Sequence, residues 1–164
     1  MALNNRIFYA CQAVAVCNTG YPPSAGASVN VAFVKGVQSV GITSNFTLDQ
    51  AFELGQIDIY ENSEEIADIE VTIEKVIDGG KLIYGAACGN DIKDNMVGAG
   101  KERSDIYLAI YADDASAVAS TTPLQVMMAS GMFISSVSYT YPADGNATES
   151  CSFVGNDKFW SGYG

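Results

Sequence analysis

The side chains able to do chemistry in this chain are mostly carboxylates. Asp plus Glu is 19 against 8 Lys plus Arg, histidine is absent, and the formal charge is −11. Without an imidazole there is no Ser-His-Asp or Cys-His catalysis and no His-ligated zinc, so acid–base chemistry falls to carboxylates, Lys, Tyr or Cys. Ten acids (Asp49, Glu53, Asp58, Glu61, Glu64, Glu65, Asp68, Glu70, Glu74 and Asp78) lie between residues 49 and 78, with Lys75 the single cation among them. A carboxylate pair could hydrolyse a glycosidic bond, but that chemistry needs sugar-stacking aromatics, and the chain has 1 Trp, Trp160. Loop acids such as Asp91, Asp94, Asp113 and Asp114 could hold calcium, but no DxDxDG spacing accompanies them. Gly98-Ala99-Gly100-Lys101 lacks the GxxxxGK[ST] spacing of a phosphate loop. The expectation is no enzyme activity, no cofactor and no metal. Two readings of the acids remain: a solvated sheet face, or a surface that repels a polyanion without binding it. The charge excludes a basic DNA-reading surface, which needs clustered Lys and Arg.

The 4 cysteines, Cys11, Cys17, Cys88 and Cys151, show no CxxC spacing and read as free buried thiols. On one unbroken strand Cys11 and Cys17 would stand about 20 Å apart, too far for a disulfide. The start carries a lone Arg6, and Cys17-Asn18-Thr19 is no small-x-small cleavage site, so the chain is expected to be cytosolic in origin. Without a leader the sequons at Asn45 and Asn146 carry no weight, and no apolar run reaches the roughly 18 to 20 residues of a membrane helix, so no membrane insertion is expected.

The elements that must position these residues are strands. A length of 164 residues suits one domain, 1–164, and 48% hydrophobic with 16% charged residues and 16 Gly suits a mainly-β domain. Strands are expected over 7–17, 29–35, 37–46, 106–112, 124–141 and 148–154, with a bulge or bend at Gly131 and a turn at Pro142-Ala143-Asp144-Gly145-Asn146. Gln56 to Glu61 and Ile69 to Glu74 each alternate with period two, predicting a hairpin with one wet face. The one helix is short: Asp78 as N-cap, Leu82, Ile83, Ala86 and Ala87 as its apolar stripe, Gly89 as its end. Residues 90–103 read as a long loop, and no internal repeat is present.

Three stretches carry a resemblance: Phe46-Thr47-Leu48-Asp49-Gln50-Ala51-Phe52-Glu53 on to Asn62, Ile69-Glu70-Val71-Thr72-Ile73-Glu74-Lys75-Val76-Ile77-Asp78-Gly79, and Thr148-Glu149-Ser150 followed by Val154-Gly155-Asn156-Asp157-Lys158-Phe159-Trp160. Over residues 37 to 160 the sequence resembles the tail tube proteins of contractile-tailed bacteriophages, although the four cysteines depart from that pattern. The resemblance implies a small β-sandwich or barrel with one short α-helix and long hairpins. It implies homohexameric rings that stack head to tail around a shared inner β-barrel, with sheath, baseplate and tail terminator proteins as partners. DNA would pass through the lumen without specific binding, in a virion tail assembled in the host cytoplasm.

In that setting the inner sheets are expected from 38–46, from 56–61 with 69–76, and from 132–141 with 147–154. Lumen-facing candidates are Asp58, Glu70, Glu74 and Glu149, taken to lie opposite the apolar faces of their strands. Subunit-interface candidates are Phe46, Glu53, Pro22, Pro23, Asp157 and Trp160, and loops 18–28, 45–55 and 90–104 are candidates for contacts between rings. DNA carries a charge about every 1.7 Å of helix axis, so an acidic lumen lets it slide where a basic one would hold it. The alternatives are the inner tube of a DNA-free contractile injection device, such as a phage-tail-like bacteriocin or secretion system, and an acidic β-sandwich binding module.

Overall fold

The structure, a computed structural model, describes residues 12–18, 31–52, 54, 59–88, 102–111 and 123–162. They form β1 (Gln12–Asn18), β2 (Val31–Phe33), β3 (Val37–Asn45), β4 (Leu48–Phe52), β5 (Ile59–Glu64), β6 (Asp68–Val76), α1 (Ile83–Ala87), β7 (Ser104–Ile110), β8 (Gln125–Thr140), β9 (Thr148–Gly155) and β10 (Asp157–Gly162). Strand order is β2-β1-β7-β8-β9-β6-β3, β10 also pairs β8, and β4 and β5 form a separate ribbon. Every pairing is antiparallel.

Two long hairpins organise this sheet. β8 pairs with β9 from Thr140↔Thr148 to Phe133↔Val154, and then with β10 from Ser130↔Asp157 to Gln125↔Gly162. β9 and β10 are thus one return strand broken at Asn156, and the expected turn at 142–146 joins them to β8. The first half of β8 also pairs β7, whereas among the described residues its second half has β9 alone beside it. Between the halves the strand bends. Gly131 has φ of 65°, a left-handed value that a side chain disfavours, and the register shifts between Ile134 and Ser136. Asp105 on β7 holds the bend: its Oδ1 accepts from Ser130 Oγ at 3.0 Å and from the Gly131 N–H at 2.9 Å.

The second hairpin is β3 with β6, prolonged by β4 with β5. Pairing runs from Val37↔Lys75 to Asn45↔Asp68, continues through Glu65 N–H donating to Thr47 O at 3.1 Å, and resumes from Leu48↔Glu64 to Phe52↔Ile59. This corrects one expectation, since β5 does not pair with β6. The stretch 56–61 is represented by β5, whose partner is β4, and residues 56–58 lie outside the described residues. The reason is packing. Ile69, Val71 and Ile73 are buried on one face of β6, and β9 brings Cys151 and Phe153 beside them while β3 brings Val40 and Ile42. A neighbour on each side completes an apolar face that a lone hairpin could not.

The curled sheet forms a half-barrel around its main core. Val14 and Val16 of β1, Ile106 of β7 and Met127, Ala129 and Met132 of β8 meet Ile69, Val71 and Ile73 of β6 and Cys151 and Phe153 of β9, with Ile83 and Ala87 of α1 between them. Close packing shows at Gly155, where an added Cβ would collide with the Met132 sulfur. The predicted mainly-β class with one short helix and long hairpins holds. Cys17, Cys88 and Cys151 are buried, and Cys11 lies outside the described residues.

Candidate functional site

β3, β6, β9 and the second half of β8 form a four-stranded unit with two unlike faces. One face lies in the core. The other follows from register: Thr43, Glu70, Val154 and Phe133 form one row across the strands, Gly41, Thr72, Ser152 and Ser136 the next, and Ser39, Glu74, Ser150 and Ser138 the third. Small hydroxyl side chains dominate, and they hydrogen-bond across the strands. Thr72 Oγ1 and Ser152 Oγ are 3.3 Å apart, Ser39 Oγ donates to Glu74 Oε2 at 3.3 Å, and Ser135 Oγ donates to Ser152 O at 3.1 Å. No lysine or arginine stands in these rows. The result is a smooth, hydroxylated, anionic surface. Its flanks are open, since β3 and the second half of β8 each lack a neighbour on their outer side among the described residues.

The four proposed lumen acids divide. Glu70 is exposed and Glu74 half-buried on this face. Asp58 lies outside the described residues. Glu149 is a correction: it is fully buried on the core side of β9. The period-two pattern Glu149-x-Cys151-x-Phe153 carried that signal, because residues two apart on a strand share a face.

Glu149 has a different task. Its Oε2 accepts from the Ile83 N–H at 2.7 Å and its Oε1 from the Tyr84 N–H at 3.1 Å, which satisfies two free donors at the start of α1. The expected N-cap, Asp78, is replaced in this role: Leu82 is the N-cap residue and gives no side-chain bond. Asp78 instead accepts from the Gly80 N–H at 3.1 Å and from Lys75 Nζ at 3.2 Å. Lys75, opposite Glu149 in register, is itself fully buried and donates to Lys81 O at 2.9 Å. A cation and an anion on adjacent strands therefore clamp residues 78–84 from two sides. Tyr139 donates to Glu149 Oε1 at 3.3 Å. Burial, reinforced by the Glu149 charge, pushes the Tyr139 hydroxyl and the Cys151 thiol well above their usual ranges, so both stay neutral.

No family model and no curated protein matches the chain in sequence. Solved structures do match its fold. The SPP1 tail tube, determined by solid-state NMR and cryo-EM, gives a TM-score of 0.66 at 11% identity, covering 96% of this chain and 80% of that one. The tube-terminating cap of the anti-feeding prophage gives 0.65 at 14% identity over 99% and 95%. A chain of the sheath–tube complex of an extracellular contractile injection system, PVC in its extended state, gives 0.60 at 15% identity over 98% and 95%.

The chain has a tail tube fold.

Within that fold the remaining candidates take their places. Phe46 is 65% exposed where the β3–β6 hairpin passes into the β4–β5 ribbon, Ile66 is exposed on the other strand of that junction, and Leu54 is exposed past the far end of β4. Asp157 and Trp160 are exposed on β10, a strand that the sequence reading did not mark. Glu53, Pro22 and Pro23 lie outside the described residues, as does loop 18–28 beyond Asn18 and most of 90–104. Among the described residues no group of His, Cys, Asp and Glu is placed to hold a metal ion, and no helix is long and apolar enough to cross a membrane.

Proposed function

We propose that the chain is the structural subunit of a tail tube, forming hexameric rings that stack head to tail, with the hydroxylated face of β3-β6-β9-β8 lining the channel. The observation that carries this reading is that four-stranded unit, with one face spent on the core, the other polar and bare, and an open edge on either side. Its open N–H and C=O groups suit pairing between copies, and a heterologous contact of this kind closes into a ring. Six copies of a four-stranded unit make a barrel of about 24 strands, roughly 40–50 Å across at the backbone and wide enough for a DNA duplex.

The channel wall then carries Glu70 and Glu74 from every copy, about a dozen carboxylates per ring, with hydroxyls between them. Phosphates passing such a wall meet no cationic side chain to displace their counterions, so DNA slides instead of binding. Sheath, baseplate and terminator proteins are the partners of such a tube in a virion tail. The β4–β5 ribbon is the contact between rings: an isolated two-stranded ribbon is marginal in water, and exposed Phe46, Leu54 and Ile66 give it an apolar surface to bury. The likeness to chains of an extracellular contractile injection system and of the anti-feeding prophage favours a second reading, the same tube in a DNA-free device.

Electron microscopy of the purified chain is the test. Stacked rings with a central hole are expected, and protein that stays monomeric at high concentration overturns the reading in favour of a binding module. Nuclease-resistant DNA in particles from producing cells separates a DNA tail from a DNA-free device.

A further inference from the structure

β10 carries an open edge outside the channel-lining unit. All six of its residues pair with β8, and no strand joins its other side among the described residues. β6 covers that side of β9 only as far as Ile69↔Gly155; β6 begins at Asp68, where the chain comes from the β4–β5 ribbon. About 20 Å of backbone edge thereby has no partner strand among the described residues.

Proteins that remain single blunt such edges with proline, a bulge or a projecting lysine. β10 has no proline, and its one lysine is turned away: Lys158 Nζ donates to Ser44 Oγ on β3 at 2.6 Å. The centre of the edge is aromatic instead. Phe159 and Trp160 point to opposite faces and are 46% and 53% exposed. An added strand would have its backbone matched by β10 and an aromatic ring on each side of it.

We propose that this edge is a strand-addition site for a second copy of this chain. The Lys158–Ser44 bond ties β10 to β3, the edge that faces the neighbouring copy in the proposed ring, so a copy seated against β3 has its backbone within reach of β10. The inference rests on the tube reading and adds a second seam to it, away from the channel, where the backbone ladder gives affinity and the two aromatics select the incoming strand.

Hydrogen exchange on the full chain, as monomer and as assembled tube, tests it. In the monomer alternate amides of 157–162 are expected to exchange fast, because only one side of β10 is paired among the described residues. In the tube the fast set is expected to slow by at least tenfold. Tubes whose fast set still exchanges at the monomer rate overturn this inference and leave the tube reading standing, and protein that never assembles overturns both. Trp160→Pro and Ser161→Pro give a second measurement, since adjacent amides point to opposite sides of a strand. One variant loses a bond to β8 and unfolds more easily. The other keeps the wild-type melting temperature and is expected to assemble at least tenfold less; normal assembly by that folded variant overturns the proposal.

Discussion

Glu149 sits where two accounts of the chain make opposite forecasts. As a channel acid it would be dispensable for folding; as the buried acceptor at the start of α1 it is not. Glu149→Leu leaves the Ile83 and Tyr84 amides and the Tyr139 hydroxyl, at 2.7, 3.1 and 3.3 Å in the folded protein, without their carboxylate, together with the weaker Cys151 thiol donor at 3.7 Å. An abandoned buried donor costs about 1–3 kcal/mol; two buried backbone amides and a partly exposed hydroxyl together put the loss at about 3–5 kcal/mol. That is a large part of the roughly 5–15 kcal/mol that holds a domain folded. Glu149→Gln keeps one carbonyl oxygen in place and should cost about 1–2 kcal/mol. Urea unfolding of the monomer, followed by circular dichroism, reads both. With a slope of about 2 kcal/mol/M, the leucine variant should lower the midpoint by about 1.5–2.5 M with the slope unchanged. A leucine variant within about 0.5 kcal/mol of wild type would refute the reasoning, as would equal losses for both variants.

Three further outcomes follow from the same geometry. Gly131→Ala forces a Cβ onto a left-handed backbone and to within 2.7 Å of Arg103 Nη2; the expected cost is about 1–2 kcal/mol, a drop of roughly 3–8 °C in a thermal melt. Glu70→Lys with Glu74→Lys should leave stability within about 1 kcal/mol, because both positions face away from the core, while tubes of the variant retain DNA in a salt-dependent manner; co-sedimentation that finds no DNA counts against the channel assignment. The Gly80 N–H and then Lys75 hold the Asp78 carboxyl below its ordinary value. A depressed folded value contributes stability above the ordinary carboxylate range and loses it as pH falls through the folded one, so Asp78→Asn should flatten the stability profile between about pH 5 and 2.

Legibility in the sequence tracked the range of the forces involved. The alternation of Ile69-Glu70-Val71-Thr72-Ile73, the Pro142–Asn146 turn and the bend at Gly131 are local, and each is present in the fold. The partner of β5 was not legible, because strand choice depends on which edges complete a face far away in sequence. β10 escaped for a related reason: Asp157-Lys158-Phe159-Trp160 does not alternate, and its pairing with β8, about 30 residues away, makes it a strand. The helix was visible but its cap was not, since Glu149 arrives from 66 residues downstream. Glu149 itself was misassigned by treating every strand acid as surface, although its spacing to Cys151 and Phe153 placed it inside.

The shared hairpin has a mechanical consequence. β8 runs 16 residues without interruption through both halves of the curled sheet, and β9 with β10 returns along its whole length. A force pulling the ends of β8 and its return strand past each other loads every rung of that ladder at once, whereas a force peeling them apart at the turn opens the rungs one after another. A domain built on this ladder resists tension along the strands far better than tension across them. Stretching a single molecule from anchors placed along and across β8 would expose that difference directly.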